Sequence, residues 1–328
     1  MKRRALRAAA ANILRILIPA AFFVYVFHVI RIEDVVSVLK GTHWSWFLTG
    51  CLCVLLPILL SSWRTRELLC AGDTKKLGRL WMVHAASSMI AGVLPFRTGE
   101  LSYVYYLHRH CRTAVSEGTA VWMSFRFTEY VIGLVILFCL SAATLLSGPS
   151  PFFWTVTILV GGNLLMALLV IWKIDLFYAM LGRAARFLKD RMPFSWAGDV
   201  LISRVDAFLE RMSKAFSENV SARLLVLSSA IVILRYLFVL AMVRSMGVSL
   251  SVGLAASLFV FLYAAKFVQS LGSFGSQEAG ITAALMLAGM SQAEALPIAI
   301  GTHLLQWAPI LGFGMVGYMG LKLSRPHA

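Results

Sequence analysis

The sequence predicts an all-α polytopic membrane protein, with about six full spans and two re-entrant hairpins entering from opposite faces as in an inverted repeat. Three observations carry this. Of the residues, 59% are hydrophobic and 14% charged, and the mean hydropathy is +0.80, a balance suited to lipid rather than water. The apolar residues are gathered into runs long enough to cross a bilayer. Two further runs break at charged glycine turns, Leu94-Pro95-Phe96-Arg97-Thr98-Gly99-Glu100 and Gly272-Ser273-Phe274-Gly275-Ser276-Gln277-Glu278.

The chain opens on Met1-Lys2-Arg3-Arg4 and an apolar run over 13–30. This imitates a signal peptide, but the run is long and no A-x-A site follows, so it reads as a retained first helix. A spanning helix needs about 17–25 residues, and further candidates fall near 45–62, 118–146, 152–172, 222–246 and 296–321. Trp44, Trp46, Trp63 and Trp81 stand at helix ends, where indoles anchor to the interface.

Basic residues set the orientation. Lys2, Arg3, Arg4 and Arg7 lead the chain; Arg64, Arg66, Lys75, Lys76 and Arg79 follow the second helix; Arg109 and Arg112 precede the 118–146 helix; Lys322 and Arg325 lie in the tail. Residues 173–223 add nine basic side chains against six acidic. All of these, and both termini, are expected in the cytoplasm, with the protein in the bacterial inner membrane. Both ends of 78–107 then lie inside and both ends of 251–291 outside, so each segment enters and returns. Within a single transmembrane domain over 1–328, residues 174–220 read as an amphipathic helical insertion on the cytoplasmic leaflet. The net charge of +15 follows from this flanking pattern and from anionic headgroups, with no call for nucleic acid. The five cysteines sit singly without C-x-x-C spacing, so no disulfide framework, metal or cofactor is expected.

The two tips carry the candidate chemistry. Arg97 and Glu100 share a face of any helix that starts at the first tip, Pro95 suits the break before it, and Gly99 permits close backbone approach. The free N–H groups of such a start favour an anion. Arg126 and Glu129 repeat the R-x-x-E spacing in the next helix, able to pair with each other or with Arg97 and Glu100. At the second tip Gln277 and Glu278 follow Gly275. Lys266 and Arg235 are lone cations in apolar surroundings; counted with Arg97 and Arg126 against Glu100, Glu129 and Glu278, they leave one surplus positive charge for a headgroup to balance. His84 and His303 are minor candidates for proton coupling. The expected substrate-binding set is Arg97, Gly99, Glu100, Arg126, Glu129, Lys266, Gly275, Gln277 and Glu278. No G-x-S-x-G, Walker or H-E-x-x-H motif is present, so no catalytic residue is assigned.

These motifs resemble the flippase-like family built on the transmembrane region of lysylphosphatidylglycerol synthases. Leu94, Pro95, Arg97, Gly99 and Glu100 correspond to its Leu-Pro, Arg, Gly-Glu pattern, Arg126 and Glu129 to its in-helix Arg and acid, and Gly272, Gly275 and Glu278 to its Gly-x-x-Gly-x-x-Glu tip. The chain departs from it at Tyr103, Ser273 and Gln277. No stretch corresponds to the aminoacyl-transferase domain of the two-part synthases, so lipid lysinylation is not expected. The resemblance implies movement of an amphipathic lipid: a phospholipid, a polyprenyl-phosphate or a hopanoid-type lipid. An intramembrane lipid-modifying transferase with Glu100 or Glu129 as general base, and a non-transporting partner of a lipid or glycan synthase, are the competing readings.

Overall fold

The structure, a computed structural model, describes residues 32–69, 77–94, 99–147, 151–172, 183, 187, 218–265 and 274–324. Among them every regular element is a helix: α1 (Ile32–Lys40), α2 (Trp44–Leu68), α3 (Leu77–Val93), α4 (Leu101–Cys111), α5 (Val115–Ser147), α6 (Pro151–Trp172), α7 (Glu218–Ser245), α8 (Val252–Ala265), α9 (Ser276–Leu287) and α10 (Gln292–Leu323). The first predicted span, Arg97, Lys266 and nearly all of the 174–220 insertion lie outside the described residues.

Four helices contain stretches long and apolar enough to cross a membrane: Trp44–Leu68, Val115–Leu145, Ala222–Ser245 and Gln292–Leu323. They coincide with four of the predicted spans, and α6 occupies a fifth. The regions 78–107 and 251–291 are each built as a pair of short helices, α3 with α4 (17 and 11 residues) and α8 with α9 (14 and 12). Hydroxyl residues fit these apolar helices by donating to the carbonyl one turn back, as Thr65 does to Ser61 (2.9 Å), Ser124 to Ala120 (2.9 Å) and Thr128 to Ser124 (2.7 Å).

The chain divides into two compact units, one of Met1–Ile58, His84–Ser102 and Ile233–Lys322, the other of Leu59–Val83, Tyr103–Val232 and Leu323–Ala328. In the first, α8 packs on α9, and Val243, Leu254, Leu258, Ile281, Leu285 and Ile298 form a core from α7 to α10. A smaller patch of Cys53, Phe238 and Met242 joins α2 to α7. In the second, α5 packs on α6, and Leu80, Val83, Leu107, Val121 and Phe125 are buried.

One expectation needs correction. Helix α2 does not end near residue 62; it runs to Leu68 and carries Arg64 inside it, with the side chain 2% exposed. Its buried positions Ser61, Ser62, Arg64 and Thr65 follow helical spacing, while Trp63 and Arg66 face outward. A charge-flank count cannot register a cation held by a partner distant in sequence, so Arg64 was read as a loop residue.

Candidate functional site

The second unit holds a buried ionic cluster drawn from three helices. Arg64 of α2 sends Nη2 to Oε1 of Glu129 on α5 at 2.7 Å, and Nη1 to Oγ of Ser228 on α7 at 2.8 Å. Its guanidinium carbon lies 3.7 Å from the centroid of the Phe125 ring. The other Glu129 oxygen, Oε2, accepts from Arg126 Nη1 at 3.3 Å. One carboxylate therefore bridges two guanidinium groups of unlike exposure: the Arg64 side chain is 2% exposed, that of Arg126 37%, and that of Glu129 10%. Taking a guanidinium out of water costs several kcal/mol unless charge and hydrogen bonds compensate it. Planar, fork-shaped donors on one side and a ring on the other supply that compensation here. Beside this cluster the hydroxyls of Thr65 and Tyr103 lie 2.9 Å apart, and both residues are buried.

The first unit holds the second tip. Gly275 sits at φ +87°, the left-handed region open chiefly to glycine, and starts α9. Glu278 folds back so that Oε2 accepts the Gly275 N–H at 2.8 Å. Its Oε1 faces Nδ1 of His303 on α10 at 2.6 Å, with side chains 1% and 4% exposed. The Trp307 indole N–H, one turn along α10, reaches His303 Nε2 at 3.2 Å. Phe274 completes the cluster, its ring 4.8 Å from that of His303 and stacked on Trp307 at 6.2 Å. The Gln277 amide hydrogen-bonds the Gln306 side-chain carbonyl, a second tie between α9 and α10.

The first tip is described only from Gly99 onward. A 3₁₀ turn at Gly99 and Glu100 leads into α4, and both residues are buried. A Cβ on Gly99 would lie 2.4 Å from the Ile90 carbonyl oxygen and 2.5 Å from the Ala91 Cα, so only glycine lets the chain pass there, as its place in the motif suggested.

Arg126 and Glu129 are thus brought together, as are Gly275 and Glu278. Gly99, Glu100, Gly275, Gln277 and Glu278 belong to the first unit, Arg126 and Glu129 to the second. Arg235 lies within α7, in the stretch Ala222–Ser245 long and apolar enough to cross a membrane, on the exposed side of the helix. Sequence reasoning missed Arg64, Ser228 and Gln306 and ranked His303 low. The signal for Arg64 was the helical repeat of small polar residues around it; for His303 and Gln306 it was their three-residue spacing on an otherwise apolar helix. Among the described residues, no group of three or more His, Cys, Asp or Glu side chains is arranged to hold a metal ion.

Residues 12–314 match the family described as the lysylphosphatidylglycerol synthase TM region. No curated protein and no solved structure matches the chain.

Proposed function

Because the chain belongs to the family of the lysylphosphatidylglycerol synthase TM region, we propose that it is a lipid transporter: it binds a lipid by its anionic headgroup and passes that headgroup through a polar intramembrane cavity while the tails stay in the bilayer. The observation that carries the reading is the Arg64–Glu129–Arg126 cluster. Ionised groups within membrane-spanning helices are costly and are kept where they bind or conduct something polar. Glu129 holds the buried Arg64, and the partly exposed Arg126 is the member able to meet a phosphate.

In this reading 78–107 and 251–291 are re-entrant hairpins from opposite faces, completing about six spans in a bacterial inner membrane with both termini cytoplasmic. Arg126 meets the phosphate, and Arg97 is a headgroup-binding cation of the first tip. Glu100 and Glu278 balance charge, and Gly99, Gly275 and Gln277 shape the tips. The role is that of a carrier without a chemical step of its own, working on anionic lipids and alongside the enzymes that make lipids or glycans.

The test is leaflet exchange in reconstituted vesicles, with a fluorescent anionic phospholipid compared with a zwitterionic one. Exchange of the anionic lipid should exceed that in protein-free vesicles and slow in Arg126→Ala and Arg97→Ala. Rates equal to those of empty vesicles would discard transport; rates unchanged in both variants would discard the assigned roles.

A further inference from the structure

Trp307, His303 and Glu278 are linked in series by the 3.2 Å and 2.6 Å contacts at the two imidazole nitrogens. The end members fix where the hydrogens lie. An indole nitrogen donates and cannot accept, so Nε2 of His303 carries the lone pair and Nδ1 carries the hydrogen. The Nδ1–H then donates to Glu278 Oε1, while Oε2 is engaged by the Gly275 N–H. With the carboxylate and imidazole side chains 1% and 4% exposed, a single added proton acts at low dielectric, where its effect on neighbours is large.

We propose that this triad is a proton-binding site, and that the proton it takes up displaces Trp307 from the tip residue Phe274, while the Glu278–His303 and Gln277–Gln306 contacts keep α9 on α10. The proton comes from hydronium, which is left as water, and bonds to the Nε2 lone pair, because Nδ1 already bears hydrogen. The product is an imidazolium with N–H donors on both nitrogens, its charge countered by the Glu278 carboxylate. The new N–H points at the Trp307 N–H, and two donors cannot share that line, so the indole has to leave it.

Trp307 is the ring on which the tip rests. It stacks on Phe274 with 5° between the planes, and Phe274 immediately precedes the Gly275 turn. On the α3 side, a Cβ on Gly92 would stand 3.3 Å from its Cη2. Displacing the indole therefore undoes a contact of the tip with α10 and one of α10 with α3, and loss of the proton restores both. Among the described residues, the groups shown packing on the triad add no second charge: Phe274 comes from the turn and Gly92 from α3. Glu278 is the one charged side chain of α9, and α8 carries none. The other titratable groups on α3 and α10 within this unit are His84, about two turns from Gly92, and Glu294, Tyr318 and Lys322 on α10.

The inference goes beyond the lipid reading and does not need it, since it is read on the protein itself. Full-length protein labelled with fluorotryptophan is purified in detergent, the Trp307 fluorine resonance is assigned with Trp307→Phe, and pH is scanned across the whole range in which the protein stays folded. The Trp307 resonance should move along a one-proton curve, and that movement should be lost in both His303→Asn and His303→Gln. Each variant keeps an amide for Glu278, and two are made so that one misfolded protein does not decide the matter. A resonance that stays in place across the scan, or that titrates unchanged without His303, overturns the proposal. A titrating resonance in protein that moves no lipid upholds the proton site and discards transport.

Discussion

Arg64 and Glu129 meet at 2.7 Å from helices α2 and α5, with the arginine side chain 2% exposed. They are 65 residues apart in sequence, and each is the other's main reason for being charged and buried. Their contact also ties Arg126 into the cluster, since both carboxylate oxygens are then engaged.

Removing Glu129 leaves the buried Arg64 without its carboxylate, and removing Arg64 leaves Glu129 with only the partly exposed Arg126; breaking a buried pair in this way costs about 3–5 kcal/mol. Arg64→Met and Glu129→Leu should each lower the unfolding midpoint of the detergent-solubilised protein strongly. The double change of Arg64→Met with Glu129→Leu should lose clearly less than the sum of the two single losses. Additive losses would show that the pair does not act as a unit.

Arg126→Ala separates stability from function. With its side chain 37% exposed, its ion pair contributes about 0–1 kcal/mol, so the unfolding midpoint should stay near wild type while anionic-lipid exchange slows. A variant as unstable as Arg64→Met would place Arg126 with the structural ions.

Gly275→Ala puts a Cβ on backbone at φ +87°, costing about 1–3 kcal/mol. The strain falls on the turn that positions Glu278, so this variant should loosen the Trp307 fluorine signal as well as lower the unfolding midpoint. An unchanged midpoint would mean the turn relaxes freely.

Gly99→Ala should destabilise for a different reason, overpacking. Its Cβ would meet main-chain atoms of Ile90 and Ala91 at 2.4–2.7 Å, and backbone yields less readily than a side-chain tip. A loss of about 1–3 kcal/mol is expected in the same unfolding assay.

His110, at the end of α4 and outside the apolar spans, supplies a pH dependence. Burial pushes its imidazole below the ordinary value of 6.5, and the Arg109 and Arg79 guanidinium groups push it the same way. The folded chain therefore binds fewer protons than the unfolded one between the two values. Its contribution to stability is complete above about pH 6.5 and is lost as the pH falls through the depressed folded value. The acid-side loss of stability should be smaller in His110→Gln; equal slopes would contradict the assignment.

Much of the site was legible because its signals are local. Arg126 and Glu129 lie three apart on a helix and do pair. The Gly275 and Glu278 spacing foretold a turn with an acid at the start of a helix, and the acid caps that turn. The partners from distant segments were not legible. Counting cations by apolar flank put Arg64 in a loop, whereas Arg64 is buried inside α2. The surplus-charge argument omitted Arg64, whose counterion is 65 positions away.

By itself the sequence determined that this chain is helical and membrane-spanning and which family it belongs to, because hydropathy, helix length and motif order are properties of contiguous residues. Only the tertiary structure decided that Glu129 serves Arg64 as well as Arg126, and that Glu278 faces His303. Those pairings depend on which helix faces come together, and a buried charge takes whichever partner the packing brings within hydrogen-bonding distance.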